Sequence, residues 1–414
     1  MKKWTVVALL GGMAFATDLV RISLGIVAPT LMSLYDISPG EMGIILSGWN
    51  WAYTGSLLMI GPVVDRFGAW LIVGIGAGFW GMATLALPLA STVVSLFVMR
   101  ALFGLGHSMR MPSQAACISR WMGPDLRATA VGLCFFGGQI GLAIGPGLAA
   151  VLVSTLGWEW VFYASGSVSL LFCLTWFALY PRDKGEGQLV ASQVEKESDG
   201  VKIPWSSLLR YRATWGIALG QLGYLYSYFF FMSWFPSYLR MERNLSLPET
   251  GIVAGLPFLM GMVGTAGGGW LGDHLIRRGV SRSASRKGMI VTGLSMTTIL
   301  VVAAAFTSQT WLAVTLLTLC MGFLRMTTAS ANAMPIDLAP AGSVASLASI
   351  QNFAGNVSGL LAPIVTGYTV GATGSFFFAL LIAGGMAMLG ACSFLFLVGP
   401  LETLPVPKSA RVSQ

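Results

Sequence analysis

Six ionisable residues interrupt stretches of the sequence that are otherwise apolar: Asp18, Arg21, Arg100, His107, Arg110 and Arg325. A charge at the centre of a bilayer costs about 2.5–3.5 kcal/mol on insertion scales, so each one needs water, a partner or a ligand. Four of the residues are arginines and only one is a carboxylate, which leaves a surplus of about three positive charges. A cavity with this imbalance should attract an anion and repel a cation.

Arg21 and Asp18 are three residues apart, so their side chains share one face of a helix. Two interpretations are open for this pair. It is a structural ion pair that lets both groups survive burial, or Arg21 binds the carboxylate of a ligand with its bidentate fork.

His107 lies seven residues after Arg100, within about 20° of it around a helix, and Arg110 is about 60° further round. Because histidine titrates near neutrality, His107 could carry a proton, or it could be a polar residue that only forms hydrogen bonds. A ligand role and a helix-packing role are both open for Arg100. We expect Arg110 and Arg325 to line the cavity, since a guanidinium group cannot face lipid. Arg325 would then complete a pair of arginines with Arg21.

Neutral polar side chains within the apolar stretches offer hydrogen bonds to hydroxyl or carboxylate groups of a substrate. For any one of them, a hydrogen bond between helices is the alternative. The candidates are Tyr53, Gln139, Gln221, Tyr228, Asn352 and Asn356.

The elements that carry these residues are predicted to be membrane-spanning helices. Apolar residues make up 55% of the 414 and charged residues 10%, against roughly 25% charged in soluble domains. Since a spanning helix needs about 20 apolar residues, the sequence predicts an all-α membrane protein with twelve spans. The first span is too long to be a cleaved signal peptide. The predicted spans are 5–34, 42–64, 70–90, 93–119, 127–154, 159–180, 213–239, 248–272, 288–307, 310–334, 343–370 and 373–399.

Basic residues predict the orientation of the chain. With both termini in the cytoplasm, eighteen Lys and Arg residues fall on the cytoplasmic side and two, Arg240 and Arg243, on the outer side. The polar stretch 182–212 is too short and too charged to form a core. We therefore predict an N-terminal six-helix bundle (1–181), a cytoplasmic linker (182–212), a C-terminal six-helix bundle (213–400) and a cytoplasmic tail (401–414), all in a cell inner membrane.

A sequence motif repeats in the two predicted halves. Gly61-x3-Asp65-Arg66-x-Gly68 follows the second span, and Gly269-x2-Gly-Asp273 follows the eighth. The first motif resembles the loop 2–3 signature of the major facilitator superfamily, which implies two pseudo-symmetric six-helix bundles around a cavity that opens alternately to either side. It also implies gating roles for Asp65, Arg66 and Asp273.

A finer resemblance is to the anion:cation symporter branch of that superfamily, which moves sugar acids, phthalate-like acids, sialic acid and glutamate. Arg21 falls on the arginine of the branch's first-span Asp-Arg motif, although Val20 replaces the aspartate. His107 replaces a glutamate that carries a proton, and Tyr53 and Asn352 match positions that line the site. The matching stretches are 46–53, Arg100-x3-Gly104-x7-Pro112, Arg127–Gly132, Trp234–Leu239 and Asn352–Pro363.

The sequence therefore predicts a proton-coupled importer of small organic anions of the sugar-acid kind, with Asp18 or His107 as the proton carrier. An anion facilitator or exchanger, a proton-coupled efflux antiporter and a transporter-like anion receptor are the alternatives. We expect a monomer in the lipid bilayer that is not an enzyme and has no cofactor, bound metal or nucleic-acid partner. No phosphate loop or metal-ligand spacing is present, and the five cysteines lie in apolar stretches.

Overall fold

The apolar stretches form long α-helices in a computed structural model, which describes residues 2–180, 205–340 and 343–404. Within these ranges the chain contains no β-strand. The first part forms α1 (Lys2–Tyr35), α2 (Pro39–Phe67), α3 (Ala69–Ala86), α4 (Val93–Ser108), α5 (Arg110–Trp121), α6 (Pro124–Thr155) and α7 (Glu159–Leu179). The second part forms α8 (Arg212–Ser233), α9 (Phe235–Met241), α10 (Leu247–Arg277), α11 (Arg282–Phe306), α12 (Thr310–Met326), α13 (Thr328–Leu338), α14 (Val344–Thr373) and α15 (Phe377–Cys392).

Three of the predicted spans each contain two helices that meet at a single turn residue. The divisions fall at Met109, Trp234 and Thr327. Pro236 occupies the first turn of α9, where its missing N–H group is tolerated. The division at Met109 likewise has Pro112 in the first turn of the following helix, α5. The division at Thr327 has no glycine or proline within three residues and lies close to Arg325.

Prolines inside other helices do not divide them. Pro146, Pro257 and Pro363 lie within α6, α10 and α14, which run on without interruption. Membrane helices tolerate such prolines because neighbouring helices and side chains satisfy the backbone groups that are released.

The starts of α2 and α10 carry the same local structure, a capping box. The amide of Glu41 donates to Ser38 Oγ at 3.3 Å and the amide of Ser38 donates to Glu41 Oε2 at 2.9 Å. Ser246 and Glu249 form the same two hydrogen bonds at 3.4 and 2.9 Å. The hydrogen bonds from Ser38 hold the pKa of Glu41 below its ordinary value. The two boxes are separated by the same distance in sequence as Gly61 and Gly269, as expected for a duplicated unit.

By its packing the chain divides into two compact units. Unit 1 comprises Met1–Gln193, Met232–Leu256 and Pro363–Gly374, and unit 2 comprises Val194–Phe231, Pro257–Ala362 and Ser375–Gln414. Segments from the second half of the sequence therefore pack with the first half. The predicted linker 182–212 and tail 401–414 lie mostly outside the described residues, and the division into six-helix bundles stays a prediction.

Helix pairs approach closely inside each unit. In unit 1, α1 packs on α6 and α2 packs on α4, and in unit 2, α11 packs on α12 and α15. At Gly104 on α4, a Cβ atom would lie 1.9 Å from the carbonyl oxygen of Trp49 on α2, so only glycine fits. Among the described residues, eight helices are long and apolar enough to cross a membrane. The chain is thus suited to a bilayer, while the count of twelve spans stays a prediction.

Candidate functional site

Arg21 and Asp18 form an ion pair near the middle of α1. The Arg21 Nη1–Asp18 Oδ1 distance is 3.1 Å, and the two side chains are 13% and 11% exposed. Arg21 also lies over the indole ring of Trp49, 4.9 Å from its centroid, and its Nε lies 3.0 Å from the sulfur of Met232. The partial exposure leaves the Arg21 guanidinium group accessible to a ligand, so the ligand role of Arg21 and its ion pair with Asp18 are compatible.

His107 lies in a box of aromatic rings between α2 and α4. Its ring stacks on Tyr53 with centroids 5.1 Å apart and on Phe103 at 5.9 Å, and the Trp49 ring is 5.8 Å away. The side chain is 2% exposed, and neither ring nitrogen has a hydrogen-bond partner among the described residues. The interpretation of His107 as a residue satisfied by hydrogen bonds therefore has no support in the described part of the chain.

Two further arginines are buried beside this box. Arg100 and Arg110 are 2% and 5% exposed. Arg100 lies over the Phe103 ring at 5.2 Å, but its Nε and Nη1 have no hydrogen-bond partner among the described residues, and neither has Arg110 Nε. The break at Met109 makes Arg110 the first residue of α5. With Asp18 already paired to Arg21, these residues carry two positive charges that no described carboxylate neutralises.

The side chain of Asp18 packs against α6. A Cβ atom at Gly138 would lie 2.3 Å from Asp18 Oδ2, so the carboxylate rests directly on the backbone of this helix. Gln139, the next residue, is half-buried. The contact with Gly138 therefore involves Asp18 Oδ2, while Asp18 Oδ1 pairs with Arg21.

We expect Gly138→Ala to destabilise the protein by about 1–3 kcal/mol, because the added methyl group would displace the Asp18 carboxylate from its place beside Arg21. Gly132→Ala, on the same helix, is the matched control, since a Cβ atom there would meet nothing within 4 Å. Thermal unfolding of the purified variants measures the difference. Equal melting temperatures for the two variants would contradict the described position of Asp18.

In unit 2, Arg325 contacts a tyrosine hydroxyl and an aromatic ring. Arg325 Nη1 donates to the hydroxyl of Tyr224 at 3.0 Å, and that hydroxyl lies 2.9 Å from Thr328 Oγ1. The Arg325 guanidinium also lies over the ring of Tyr228 at 5.3 Å. Two of the predicted binding residues, Arg325 and Tyr228, thus lie together. Thr328 was not among the predicted residues. Its spacing of three residues from Arg325 could have indicated that the two side chains lie on adjoining helical turns.

Three predicted polar residues of unit 2 remain, Gln221, Asn352 and Asn356. Gln221 is 3% exposed, and its side-chain oxygen accepts a hydrogen bond from Gln351 Nε2 at 3.4 Å, which favours its helix-packing alternative. Asn352 is exposed, and Asn356 donates to its backbone carbonyl at 2.9 Å. Gln351, which the sequence did not single out, is therefore the partner of a predicted residue.

The predicted gating residues lie at the loop ends of helices. Arg66 is exposed and lies over the neighbouring Phe67 ring at 5.4 Å. The side chain of Asp65 lies outside the described residues. Asp273 is exposed and lines a cleft between α10, α11 and α13, beside Arg286. Arg286 itself pairs with Asp337 at 2.5 Å.

Metal-binding groups of three or more His, Cys, Asp or Glu residues do not occur in the described ranges, and the five cysteines are free. In unit 1, Arg21 carries a partly exposed guanidinium group between the carboxylate of Asp18 and the indole of Trp49. A guanidinium group in this position can bind an acidic group through charge-assisted hydrogen bonds.

Comparisons with known proteins identify the family of this chain. Residues 10–284 match the family model described as Major Facilitator Superfamily. The chain is 30% identical to the hexuronate transporter of Bacillus subtilis over 394 residues, which is 94% of this chain and 93% of that one. It is also 30% identical to the probable L-galactonate transporter of Escherichia coli over 388 residues, covering 91% and 85% of the two chains.

A crystal structure of a bacterial homolog of the human lysosomal transporter Spinster, in an inward-facing and occupied conformation, matches the fold with a TM-score of 0.73. The sequence identity is 16%, and the match covers 96% of this chain and 95% of that one. At this identity the likeness supports the fold alone.

Proposed function

Because this chain belongs to the Major Facilitator Superfamily, whose members are transporters rather than enzymes, we propose that it imports small organic anions of the sugar-acid kind. In this proposal it lies in the cell inner membrane as a monomer. The excess of basic residues in the predicted inner loops supports an orientation with both termini in the cytoplasm. The relatives named above, a hexuronate transporter and a probable L-galactonate transporter, support carboxylates as the cargo.

The observation that carries the proposal is the shortage of carboxylates around the buried arginines of unit 1. Asp18 pairs with Arg21, and Arg100 and Arg110 have no acidic partner among the described residues. An unpaired buried charge is strongly destabilising, so a partner that arrives and leaves with each transport cycle accounts for these residues. An acidic cargo supplies that partner.

Arg21 is the primary contact for the cargo carboxylate in this proposal. Its guanidinium is partly exposed, and the indole of Trp49 covers one face. Release of Nη1 from Asp18 would free the Nη1–Nη2 edge for bidentate hydrogen bonds to the cargo. Tyr53, Gln139, Tyr228, Arg325, Asn352 and Asn356 remain proposed contacts for the rest of the molecule. Binding neutralises the arginines and favours closure around the cargo, and Asp65, Arg66 and Asp273 take part in the movement between states.

We assign the coupling proton to Asp18 rather than to His107. A proton on His107 would add a further positive charge to a part of unit 1 in which Arg21, Arg100 and Arg110 already outnumber the paired carboxylate, Asp18. A proton on Asp18 instead releases Arg21 from its ion pair and leaves the guanidinium free for the cargo carboxylate. Proton and anion then bind together, which is the requirement for symport.

Proteoliposome uptake tests this assignment. We expect an inside-alkaline pH gradient to stimulate uptake of a sugar acid by the natural protein, and we expect Asp18→Asn to abolish that stimulation while exchange of labelled for unlabelled acid continues. His107→Gln is the matched control and should keep the pH response. A response that survives Asp18→Asn and disappears in His107→Gln would move the proton to His107.

The same assay separates the other candidate functions. Uptake that requires preloaded acid indicates an exchanger, and uptake that follows membrane voltage without a pH response indicates a facilitator. Efflux driven by the opposite gradient indicates an antiporter, and binding without flux indicates a receptor.

A further inference from the structure

Side-chain hydroxyl groups stabilise the break between α12 and α13 at Thr327, which has no glycine or proline within three residues. Thr327 Oγ1 donates to the carbonyl oxygen of Leu324 at 2.7 Å. Thr328 Oγ1 donates to the carbonyl oxygen of Arg325, also at 2.7 Å. Threonine side chains that bind carbonyl groups of the preceding turn often bend helices. Two consecutive threonines therefore give a physical reason for the break.

A closed set of three hydrogen bonds begins and ends at Arg325. Arg325 Nη1 donates to the hydroxyl of Tyr224 at 3.0 Å, and that hydroxyl lies 2.9 Å from Thr328 Oγ1. A hydroxyl group has one hydrogen, and Thr328 gives its hydrogen to the Arg325 carbonyl. Tyr224 must therefore donate its own hydrogen to Thr328. The side chain of Arg325 is thus connected, through two hydroxyl groups, to the backbone of the same residue.

The hydroxyl of Tyr224 is not suited to bind the cargo itself. Its single hydrogen is used by Thr328, so it has no hydrogen to offer a carboxylate. The side chain is 2% exposed and lies on α8, while Arg325 is at the end of α12. Any effect of this hydroxyl on cargo binding is therefore expected to pass through Arg325.

Two further contacts hold Arg325 in the same place. Its guanidinium group lies over the ring of Tyr228 at 5.3 Å, and Tyr228 is one helical turn after Tyr224 on α8. On α10, a Cβ atom at Gly261 would lie 3.1 Å from Arg325 Cγ, so the stem of the arginine packs closely on that helix. An arginine that is ordered before binding loses less side-chain entropy when a ligand arrives, which increases affinity.

We propose that Tyr224 and Thr328 are positioning residues for cargo binding, in which their hydroxyl groups orient the Arg325 guanidinium toward an acidic or hydroxyl group of the cargo. This inference rests on the proposed transport of organic anions, in which Arg325 is one of the cargo contacts. It adds two residues that act on the cargo through Arg325. The break at Thr327 belongs to the same arrangement, because Thr328 both binds the freed carbonyl and receives the hydrogen of Tyr224.

Uptake of labelled D-glucuronate and D-galactonate by proteoliposomes with the full-length protein tests the proposal. We expect Tyr224→Phe and Thr328→Val each to raise KM about tenfold and to change the maximal rate by less than about twofold. The reason is that an ordering contact contributes to binding and not to the later steps of the cycle. Thr328→Ser keeps the hydroxyl group and should keep the natural KM.

Matched controls remove similar groups elsewhere. Thr315 Oγ1 donates to the carbonyl oxygen of Trp311 at 2.9 Å inside the uninterrupted part of α12, so Thr315→Val loses the same kind of bond away from the break. Tyr163→Phe removes a hydroxyl group from a half-buried tyrosine of α7. Both controls should keep the natural KM. In Arg325→Gln, the further change Tyr224→Phe should alter KM by less than about twofold, because the residue that it positions is gone.

Several outcomes would overturn the proposal. They are a natural KM in Tyr224→Phe, a further rise in KM when this change is added to Arg325→Gln, and a Thr328→Ser variant that behaves like Thr328→Val. A lower maximal rate with an unchanged KM would also overturn it, since that result indicates a structural role. If the melting temperature shows that Tyr224→Phe is not folded, the two Thr328 variants decide. Absence of uptake of both acids by the natural protein would instead overturn the proposed sugar-acid function.

Discussion

Uptake of sugar acid should fall by at least about 100-fold when Arg21 is replaced by glutamine, because a bidentate, charge-assisted contact to the cargo is lost. Arg21→Lys should also lose most of the activity, although it keeps the charge. Lysine offers a point charge rather than a planar fork, and it cannot cover the Trp49 ring as the guanidinium does at 4.9 Å. Initial rates of uptake in proteoliposomes, with binding by thermal shift, measure both effects.

The glutamine variant has a second defect that must be separated from the first. It leaves Asp18 buried without its partner at 3.1 Å, and breaking a buried pair in this way destabilises proteins by about 3–5 kcal/mol. The double variant Asp18→Asn/Arg21→Gln removes both charges and should recover the melting temperature without recovering uptake. Normal transport by Arg21→Lys would show that the bidentate role of Arg21 is wrong.

Gly43→Val should reduce transport about tenfold or more while the cargo is still bound. Gly43 lies near the start of α2, where a Cβ atom would be 2.4 Å from the carbonyl oxygen of Pro363 on α14. The indole of Trp234 donates to the same carbonyl at 2.9 Å, so this backbone is held from two sides. A valine side chain excludes the packed arrangement at a cost of about 1–3 kcal/mol or more, and a transporter that must revisit this arrangement in each cycle would slow down.

Gly55→Val is the matched control for that variant. It adds the same side chain to the same helix at a position where a Cβ atom would meet nothing within 4 Å. The control should transport at the natural rate, and both variants should bind sugar acid with similar affinity. A normal transport rate in Gly43→Val would show that the contact between α2 and α14 does not need to form during the cycle.

The parts of the site that follow from one helix were predictable from the sequence. Asp18 and Arg21 are three residues apart on α1, and their ion pair follows from that spacing. The family was identified from the motif around Asp65, and the comparison with known proteins confirms it. The surplus of positive charge could be counted before any coordinate was known, since it needs only the residue types.

The parts that depend on contacts between helices were not predictable. The aromatic box around His107 combines Trp49 and Tyr53 from α2 with Phe103 from α4. A single sequence does not show which residues of two helices face each other, so this box could not be predicted. The break at Met109 falls three residues before Pro112, whereas the break at Thr327 has no glycine or proline within three residues, and Pro146 and Pro363 lie inside continuous helices. Glycine and proline alone therefore do not locate the breaks, because the surrounding helices also decide where a membrane helix can be interrupted.

The twin capping boxes at Ser38–Glu41 and Ser246–Glu249 bear on how the chain is made. Each box joins residues only three apart, so it can close in the time of a single helical turn and needs nothing from distant parts of the molecule. A ribosome adds residues far more slowly than that. The first capping box can therefore fix the start of α2 before the residues of the second box have been synthesised. The start of α10 is likewise determined by residues that are close to it in the sequence.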